Sequence, residues 1–369
     1  MSRLVGVTGA FGLLGWHLRC YLRSLPDLEV IVAGRDEFAA SEKLEAFVSG
    51  CDVVVHLAGM NRGDEREVAS TNVDLTRQLI AALESANARP HVVFSSSTHI
   101  FRETLYGASK RQSAELLGDW ARRSSGKFTN LVLPGVFGEG GKPFYNSVVS
   151  TFCHQVALGE QPTIQQDGQM EQIHAQSVAR LICDAVTEGR EGEVRVDGYA
   201  ISVTGLLERL THFKTLYDQN IIPDVRQAFD RDLFNTYRSY LYPNRYPVVL
   251  KVHSDDRGGL FEAVKTHNGG QTFFSSTHPG ITRGNHFHTR KIERFLVVGG
   301  EAEIRLRRVF SDEVQVFRVN GTAPSYVDIP TLHTHNIRNV GSGEVTTLFW
   351  THELFDPANP DTVMEMVEP

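Results

Sequence analysis

The chain has 369 residues, which is long enough for two domains that each bury their own core. It carries 37 Lys and Arg against 44 Asp and Glu, and the basic residues are scattered, so no basic stripe indicates a nucleic-acid partner. No apolar run is long enough to span a membrane, and the first residues do not read as a secretory signal. The four cysteines form no CxxC pair and suit a reducing compartment, so we expect a cytoplasmic protein.

The first motif is a glycine-rich turn after a short apolar strand at Leu4 to Thr8. The turn, GAFGLLG from Gly9 to Gly15, runs into a helix that begins near Gly12. Glycines at this spacing allow a tight turn and let a helix N-terminus approach a pyrophosphate. A second strand, Glu29 to Ala33, leads to Arg35, which can pair with a 2'-phosphate. We therefore predict a dinucleotide site that favours NADPH over NADH.

Further strands alternate with helical segments. The apolar strand Val53 to Leu57 is followed by Ala58 and Gly59, a helix that carries Asn72, and the strand His91 to Ser95. Strands separated by helices of this length indicate βαβ units and a parallel sheet. The pattern predicts a doubly wound, Rossmann-like α/β fold.

A serine, a tyrosine and a lysine follow that strand in the segment SSSTHIFRETLYGASK. Tyr106 and Lys110 are spaced to share one helix face, so the ammonium can lower the pKa of the phenol while a serine hydroxyl orients a carbonyl. A plain surface helix pair is the alternative interpretation. This motif resembles the one found in the extended short-chain dehydrogenase/reductase family, and the glycine turn resembles that family's cofactor-binding turn. That resemblance implies that Tyr106 is a general acid, that Lys110 is its partner, and that Ser97 or the adjacent Ser96 orients the substrate.

The resemblance also implies the remaining contacts of a reductase. With the glycine turn, it predicts a cofactor site formed by Gly9, Phe11, Gly12, Leu13, Gly15, Arg35, Leu57, Ala58, Gly59, Asn72, Lys110 and Pro134. Pro134 would lie beside the nicotinamide, at the end of a strand from Leu131 to Gly138. Only eight residues separate Ser97 from Tyr106, so the substrate loop there should be short.

Substrate residues are predicted in the loop before the next helix and on a later segment. Lys142, Asn146 and Ser147 precede a helix start that suits a nucleotide diphosphate, although Phe144 and Tyr145 could equally be core anchors. By the family resemblance His174 contacts the sugar nucleotide; a packing role is the alternative.

The domain boundary is predicted in a tyrosine-rich connector at residues 230–247, which gives a reductase domain at 1–243 and a second domain at 248–369. A helix that starts at Thr204 carries an apolar stripe suited to a core or a subunit contact.

The second domain alternates apolar and polar residues with period two, which indicates antiparallel strands. Within it, His286 and His288 point to one side of a strand, and Glu293 and His335 can complete a divalent metal site. Surface histidines on an ordinary β-sandwich are the alternative. The spacing resembles the cupin metal motifs, except that Leu332 stands where cupins have a glycine. The resemblance implies an all-β cupin (jelly-roll) barrel that binds Zn²⁺.

Two segments of this domain, Asp256-Arg257-Gly258 and Arg283-Gly-Asn-His286, resemble the cupin-fold 3,5-epimerases of nucleotide-linked 4-keto-6-deoxy sugars. With His286 as a ligand, the epimerase base stays open between Lys265, Lys291 and Tyr326.

Together the halves resemble the CapF-type bifunctional enzymes of capsular polysaccharide synthesis. The resemblance implies C3 epimerisation of a UDP-2-acetamido-2,6-dideoxy-4-hexulose, C4 reduction with NADPH to UDP-2-acetamido-2,6-dideoxy-L-talose on the route to UDP-N-acetyl-L-fucosamine, and a homodimer. Two alternatives stay open: a reductase whose cupin is purely structural or dimerising, and a non-enzymatic nucleotide sensor.

Overall fold

The computed structural model describes residues 3–25, 27–256 and 258–368. Arg257, part of the segment that resembles the epimerases, lies outside the described residues. The chain divides into two compact units. The first comprises the described residues up to Thr151 with Ile164–Val203, and the second comprises Phe152–Thr163 with the described residues from Thr204 onward.

The first unit contains a six-stranded sheet and a small three-stranded sheet. Its strands are β1 (Arg3–Thr8), β2 (Leu28–Ala33), β3 (Val53–His56), β4 (His91–Ser97), β5 (Lys127–Leu133), β6 (Gly135–Phe137), β7 (Gln169–His174), β8 (Gly192–Arg195) and β9 (Tyr199–Ser202). Its helices are α1 (Leu13–Leu22), α2 (Arg35–Phe38), α3 (Ser41–Ser49), α4 (Glu65–Ser85), a 3-10 turn at Thr98–Phe101, α5 (Leu105–Ser124), α6 (Val148–Ala157) and α7 (Ala175–Thr187). The first segment of this unit ends at Thr151, inside α6.

The larger sheet is parallel throughout, in the order β2-β1-β3-β4-β5-β8. Its central strands are buried on both faces, as the continuous apolar run Val53–Val55 requires. One face packs against α1 and α7, and the other packs against α3, α4 and α5. This arrangement confirms the predicted doubly wound fold. The chain passes from β1 to β2 on one side and returns to β3 on the other, so a ligand crevice is expected at the carboxyl ends of β1 and β3.

The segment Leu131 to Gly138, predicted as one strand, is two strands in the structure. β5 ends at Leu133, and β6 begins at Gly135 and pairs with β7 in the three-stranded sheet. Pro134 lies between them because it has no N–H to donate to a sheet ladder.

The described part of the second unit contains the end of α6, two further helices and mainly antiparallel strands. The two further helices are α8 (Val203–Asp218) and α9 (Ala228–Leu241). The strands are β10 (Ile221–Ile222), β11 (Val248–Val249), β12 (His253–Asp255), β13 (Gly258–Leu260), β14 (Lys265–Thr266), β15 (Gln271–Thr277), β16 (Thr282–Phe287), β17 (Glu293–Gly299), β18 (Glu301–Arg308), β19 (Val314–Asn320), β20 (Ser325–Ile329), β21 (His333–Asn339), β22 (Val345–Thr351) and β23 (Val363–Met364).

Ten of these strands form two five-stranded sheets, in the orders β11-β20-β17-β22-β15 and β19-β18-β21-β16-β23. Apolar side chains of both sheets, among them Phe295 and Ile304, share one buried core. Within the described residues no strand pairing joins the two sheets into a closed barrel. The all-β character of this region is therefore confirmed, whereas the cupin barrel stays a prediction.

Helices α8 and α9 precede the predicted boundary in the sequence, but they group with the sheets of the second unit, which follow that boundary. A buried polar network explains this position. Arg294 makes a bidentate ion pair with Asp328 at 2.6 and 2.9 Å, and Tyr217 of α8 donates a hydrogen bond to the same carboxylate. The hydroxyls of Tyr217 and Tyr246 lie 2.7 Å apart, so the tyrosine-rich connector joins this network. The boundary at 243–248 stays a prediction about independently folding domains.

No helix among the described residues combines the length and the apolarity that crossing a membrane requires.

Candidate active site and candidate metal centre

The glycine turn packs too tightly for side chains at two of its positions. A Cβ on Gly9, which has φ +65°, would lie 2.7 Å from the backbone nitrogen of Ala58, and a Cβ on Gly15 would lie 2.3 Å from the carbonyl oxygen of Gly9. Gly12 caps α1, and Phe11 beside it is 72% exposed. The first backbone N–H groups of α1 are therefore presented at the end of β1, which suits a pyrophosphate.

The loop after β3 is held next to this turn. The backbone N–H groups of Leu57 and Ala58 donate to the Thr8 hydroxyl at 3.2 and 3.1 Å. The Asn72 side chain makes two hydrogen bonds to the backbone of Met60, at 2.7 and 2.9 Å. Asn72 is thus buried and positions the loop through Met60, while the exposed Gly59 beside it leaves room for a ligand.

Arg35 begins α2 directly after β2, and its side chain is exposed. The Glu37 side chain is directed toward Gly34, because its carboxylate accepts a hydrogen bond from the Gly34 N–H at 2.6 Å. Arg35 is therefore available to a phosphate at the carboxyl edge of the sheet.

The predicted catalytic residues meet at the end of β4. Burial raises the pKa of the Tyr106 phenol, and a hydrogen bond with the Ser97 side chain opposes that rise. The Lys110 ammonium donates to the Ser95 carbonyl at 2.9 Å and lies 6.0 Å from the centre of the Tyr106 ring. Burial lowers the pKa of Lys110 to about 8. Tyr106 is thus kept protonated, as a proton donor must be.

The structure distinguishes between the two serines. Successive side chains of a strand point to opposite faces, so Ser96 points away from the face that Ser97 shares with Tyr106. Ser96 is buried, and its hydroxyl finds no hydrogen-bond partner in the described part of the chain. The geometry favours Ser97 as the substrate-orienting hydroxyl.

The short connection between Ser97 and Tyr106 is filled by the 3-10 turn. A Cβ on Gly107 would lie 2.2 Å from the carbonyl oxygen of His99 in that turn. Only a glycine lets α5 begin so close to the preceding turn. This residue therefore allows Tyr106 to follow β4 after so few residues.

The loop that carries the predicted substrate residues is anchored at both ends. Lys142 and Asn146 are exposed, and the Ser147 hydroxyl accepts a hydrogen bond from the Ser150 N–H at the start of α6. Arg62 donates to the carbonyl oxygens of Phe144 and Tyr145. The two aromatic residues are largely exposed, at 57% and 43%, so they are not core anchors.

The other end of the loop is fixed by Glu139, which the sequence analysis did not single out. The His17 Nε2 lies 2.9 Å from the Glu139 carbonyl oxygen, and the His174 Nε2 lies 2.9 Å from its carboxylate. His174 also accepts a hydrogen bond from the Gln176 N–H at the start of α7. All three ionisable residues are buried, so His174 supports the loop through Glu139. The signal in the sequence was a lone acid inside a glycine-rich stretch.

Four residues of the second unit form a cluster that could hold a metal: His286, His288, Glu293 and His335, with one ligand atom of each within 4.8 Å of the others. His286 is partly buried, and the other three are buried. His286 and His335 are cross-strand partners in β16 and β21, whereas Glu293 begins β17 of the other sheet. The cluster therefore joins the two sheets, and the structure brings together all four predicted ligands.

A bulge in β16 sets the direction of His286. The pairing register shifts between Gly284 and His286, and Gly284 and Asn285 have φ of +106° and +66°. A bulge of this kind re-aims the side chain that follows it. Leu332, in the turn before β21, has φ +58°, so this leucine keeps the left-handed conformation that a glycine would favour.

The hydrogen bonds of two histidines fit a cation. A carbonyl oxygen only accepts, so Nδ1 of His335, 3.1 Å from the His333 carbonyl, and Nδ1 of His288, 2.5 Å from the Asp361 carbonyl, must carry protons. In the neutral rings both Nε2 lone pairs then face the Glu293 carboxylate at 3.2 and 3.0 Å. The Nε2 of His335 donates to no described residue. A metal ion between the Nε2 lone pairs and the Glu293 carboxylate would remove their repulsion, and three histidines with one carboxylate are a ligand set that suits Zn²⁺.

The charges of the cluster are perturbed accordingly. Burial, with the neighbouring His335 and His288, lowers the pKa of His286 to about 3. Burial alone would raise the pKa of Glu293, but its contacts with His288 and His335 hold that pKa well below its usual value. Burial alone would lower the pKa of His288, but its contact with Glu293 raises that pKa above its usual value. A neutral imidazole and an ionised carboxylate are the forms that ligate metals, so a bound metal ion would replace the proton that His288 shares with Glu293.

The three candidates for an epimerase base are all engaged. The Lys291 ammonium donates to the Pro360 carbonyl at 2.8 Å, the Tyr326 hydroxyl donates to the Asn220 side chain at 2.8 Å, and Lys265 pairs with Glu262 at 3.1 Å. None of them is distinguished by its geometry, so the base stays unassigned.

Comparison with known proteins decides the family. The model of the NAD dependent epimerase/dehydratase family matches residues 5–197, which is more than half of the chain. The chain belongs to this family. In this family member a second model, described as the polysaccharide biosynthesis C-terminal domain, matches residues 253–363.

Two relatives are similar to this epimerase/dehydratase family member, over different shares of its chain. A Pseudomonas aeruginosa protein named UDP-2-acetamido-2,6-beta-L-arabino-hexul-4-ose reductase is 31% identical over an alignment of 361 residues, and the match covers 96% of each chain. The Bacillus subtilis spore coat polysaccharide biosynthesis protein SpsL is 27% identical over an alignment of 122 residues, and the match covers 30% of this chain and 81% of SpsL.

Among solved structures, the capsular polysaccharide assembling protein CapF from Staphylococcus aureus is similar along the whole chain. It has a TM-score of 0.63 and 31% sequence identity, and the match covers 98% of this chain and 99% of CapF. The predicted resemblance to CapF-type proteins is thereby confirmed.

Proposed function

We propose that this chain is a bifunctional enzyme that first epimerises and then reduces a UDP-linked 4-keto sugar. The proposed substrate is a UDP-2-acetamido-2,6-dideoxy-4-hexulose, and the product is UDP-2-acetamido-2,6-dideoxy-L-talose, a precursor of UDP-N-acetyl-L-fucosamine. The observation that carries the proposal is the group formed by Ser97, Tyr106 and Lys110 in the same chain as a separate cluster of three histidines and Glu293. The name of the full-length Pseudomonas relative supports the choice of keto sugar.

The reductase half uses Ser97, Tyr106 and Lys110. The glycine turn (Gly9 to Gly15) and Arg35 would hold NADPH, which when bound supplies the hydride to C4. Ser97 orients the carbonyl by a hydrogen bond, and Tyr106 donates its proton to the oxygen as it becomes an alcohol. The positive charge of Lys110 favours the phenolate that Tyr106 leaves behind. Arg35 supports NADPH over NADH, since it is exposed where a 2'-phosphate would lie.

The substrate loop would bind the UDP portion. Lys142 and Asn146 are exposed beside the start of α6, where a positive side chain and free backbone N–H groups suit a diphosphate. The buried contacts of Glu139 with His17 and His174 keep this loop in one conformation. A preformed loop lowers the entropy lost on binding.

The epimerase half uses the metal cluster. His286, His288, Glu293 and His335 would hold Zn²⁺, which when bound can polarise a carbonyl oxygen as a Lewis acid. A base removes the C3 proton, the electrons of the C–H bond delocalise onto the C4 oxygen as an enolate, and a proton returns to the opposite face of C3. The C3 proton is acidic only while C4 is a ketone, so epimerisation precedes reduction.

One observation favours the alternative, a reductase whose C-terminal unit is only structural. Lys265, Lys291 and Tyr326, the three candidate bases, already have partners in the described residues. An isotope experiment on two matched variants distinguishes the two functions.

Tyr106→Phe protein is incubated with the keto sugar and NADPH in D2O, and the sugar is analysed by NMR and mass spectrometry. We expect deuterium at C3 and no NADPH oxidation. His335→Ala should show the reverse: no deuterium at C3, but NADPH oxidation with sugar that has already been epimerised. Absence of C3 exchange in well-folded Tyr106→Phe would refute epimerisation and leave reduction alone. A single, stoichiometric NADPH oxidation by the unmodified protein would instead indicate a nucleotide sensor.

A further inference from the structure

Asp361 holds the short loop between two of the four cluster residues. One carboxylate oxygen accepts hydrogen bonds from the N–H and the hydroxyl of Thr289, at 2.9 and 2.6 Å. The other accepts from the N–H groups of Arg290 and Lys291, at 2.9 and 2.8 Å. The residue is 9% exposed and has φ +46°, a conformation that its surroundings must hold in place.

The backbone of the same residue orients a ligand. The Asp361 carbonyl accepts from Nδ1 of His288 at 2.5 Å, which leaves Nε2 of that ring directed at Glu293. We propose that Asp361 is a positioning residue of the metal site, which fixes His288 through its carbonyl and the loop from Thr289 to Lys291 through its carboxylate. This inference rests on the proposed metal site.

The residues that follow Asp361 support a second ligand. β23 pairs with β16, with Met364 opposite His286, and the Glu365 N–H donates to the Asn285 carbonyl at 2.9 Å. Arg307 fixes this C-terminal segment (residues 361–367) through the carbonyls of Met366 and Val367, both at 2.7 Å. The C-terminal segment therefore contacts both β16 and the loop after it, so it sets the relative positions of His286 and His288.

The loop has a further support from α9. The Asn235 side chain donates to the Arg290 carbonyl at 2.9 Å, and the Arg290 side chain pairs with Glu353 at 3.2 Å. These contacts hold the middle of the loop, whereas Asp361 is the one described residue that bonds both to His288 and to the backbone N–H groups that follow. Partners that orient metal ligands typically change metal affinity by about 10- to 100-fold when they are removed.

The test compares Asp361→Asn and Asp361→Ala with Asp356→Asn. In Asp361→Asn one acceptor oxygen becomes an amide nitrogen, which is itself a donor. It would face either the N–H and the hydroxyl of Thr289 or the N–H groups of Arg290 and Lys291. Asp356 is exposed in the same part of the chain and caps only its own turn, through the Ala358 N–H, so it is a matched control. Zn²⁺ affinity is measured by competition with a chromophoric chelator, and the visible spectrum of Co²⁺-loaded protein reports the ligand geometry.

We expect Zn²⁺ affinity to fall by about 10- to 100-fold in both Asp361 variants, with an altered Co²⁺ spectrum, and to be unchanged in Asp356→Asn. His335→Ala distinguishes a failure of the proposed metal site from a failure of the role proposed for Asp361. If the unmodified protein and His335→Ala bind Zn²⁺ alike, the metal site itself is refuted. If binding depends on His335 but both Asp361 variants keep the original affinity and spectrum, the role of Asp361 is refuted.

Thr289→Val keeps the test decisive if the Asp361 variants do not fold. It removes only the hydroxyl that donates to Asp361, so we expect a several-fold loss of Zn²⁺ affinity in a protein with unchanged circular dichroism. An unchanged affinity in that variant would overturn the inference.

Discussion

Replacing the proposed catalytic lysine should stabilise the first unit while it abolishes reduction. Lys110 is 7% exposed, and burial lowers its pKa from 10.5 to about 8. Below pH 8 the folded protein holds a buried charge that the unfolded chain keeps in water, which costs about 3 kcal/mol at about 1.4 kcal/mol per pKa unit. Methionine keeps the unbranched stem but loses the 2.9 Å hydrogen bond to the Ser95 carbonyl, worth about 1 kcal/mol. Lys110→Met should therefore gain about 2 kcal/mol at neutral pH.

The sign of the effect depends on pH. Between about pH 8 and pH 10.5 the unfolded chain binds more protons at this position than the folded protein does, so the free energy of unfolding of the unmodified protein rises with pH. The rise from this group is about 1.4 kcal/mol per pH unit, and methionine has no such contribution. The advantage of Lys110→Met should therefore shrink above pH 8 and change sign at about pH 10.

The assay is urea unfolding of the dinucleotide-free protein from pH 7 to pH 9.5, followed by tryptophan fluorescence. Trp120 is buried in the first unit on α5, the helix that carries Lys110, and reports that unit. Lys127→Met is the control, because the Lys127 side chain is 56% exposed and its removal should leave the pH dependence unchanged. Stability curves of Lys110→Met and the unmodified protein that run parallel over this range would refute the reasoning.

Two further predictions concern residues that support the sites. Leu332→Gly should relieve about 1 to 2 kcal/mol of left-handed backbone strain, but it removes a fully buried side chain worth about 3 to 5 kcal/mol. The free energy of unfolding of the second unit should therefore fall by about 2 kcal/mol, measured by urea unfolding followed by Trp350 fluorescence. A more stable variant would contradict this. Glu139→Ala should raise the KM for the keto sugar by about tenfold, or about 1.4 kcal/mol, with little change in NADPH affinity, because the loop it supports carries Lys142 and Asn146. The exposed Glu115→Ala should change neither constant, and an equal loss of both affinities in Glu139→Ala would point to a general structural defect.

The candidate reductase residues could be predicted from the sequence because their spacing is local. The glycine turn, the strand before it and the spacing of Tyr106 and Lys110 follow from a single turn and a single helix face. The choice between Ser96 and Ser97 needed the strand direction, which becomes known only when Tyr106 is located on one face of β4. Glu139 stands out in the sequence only as a lone acid in a glycine-rich stretch, and its role was missed because its partners His17 and His174 lie far from it along the chain.

The same contrast holds in the second unit. His286 and His288 are close in sequence and their direction follows from strand periodicity, and His335 was found by its spacing from them. The bulge at Gly284 and Asn285, which re-aims His286, leaves no comparable pattern in the sequence. Asp361 contacts His288 across 73 residues, so only the folded chain identifies it as a support of that ligand.

Helices α8 and α9 belong to the second unit for a physical reason that cannot be read from the composition of the sequence. The apolar stripe of α8 predicted a core or subunit contact, and it is a core contact: Leu206, Leu210 and Phe213 are buried. The deciding group is polar, because the Tyr217 hydroxyl reaches the carboxylate of Asp328, which is already paired with Arg294. A buried ion pair needs its remaining acceptor positions satisfied, and that requirement ties the helix to the sheet.

Both proposed sites hold groups whose electrostatics are unfavourable until a ligand arrives. Lys110 is a cation in a buried position, and its pKa is lowered accordingly. In the metal cluster, Nε2 of His288 and Nε2 of His335 lie 3.0 and 3.2 Å from the Glu293 carboxylate. When both rings are neutral, these two lone pairs face the carboxylate, and the hydrogen bonds to the carbonyls of Asp361 and His333 stop either ring from turning away. Such arrangements lower the stability of the empty protein, so the surrounding fold must enforce them. The enforcing residues are therefore as informative about function as the reacting ones: Gly107 for Tyr106, and Asp361 for His288.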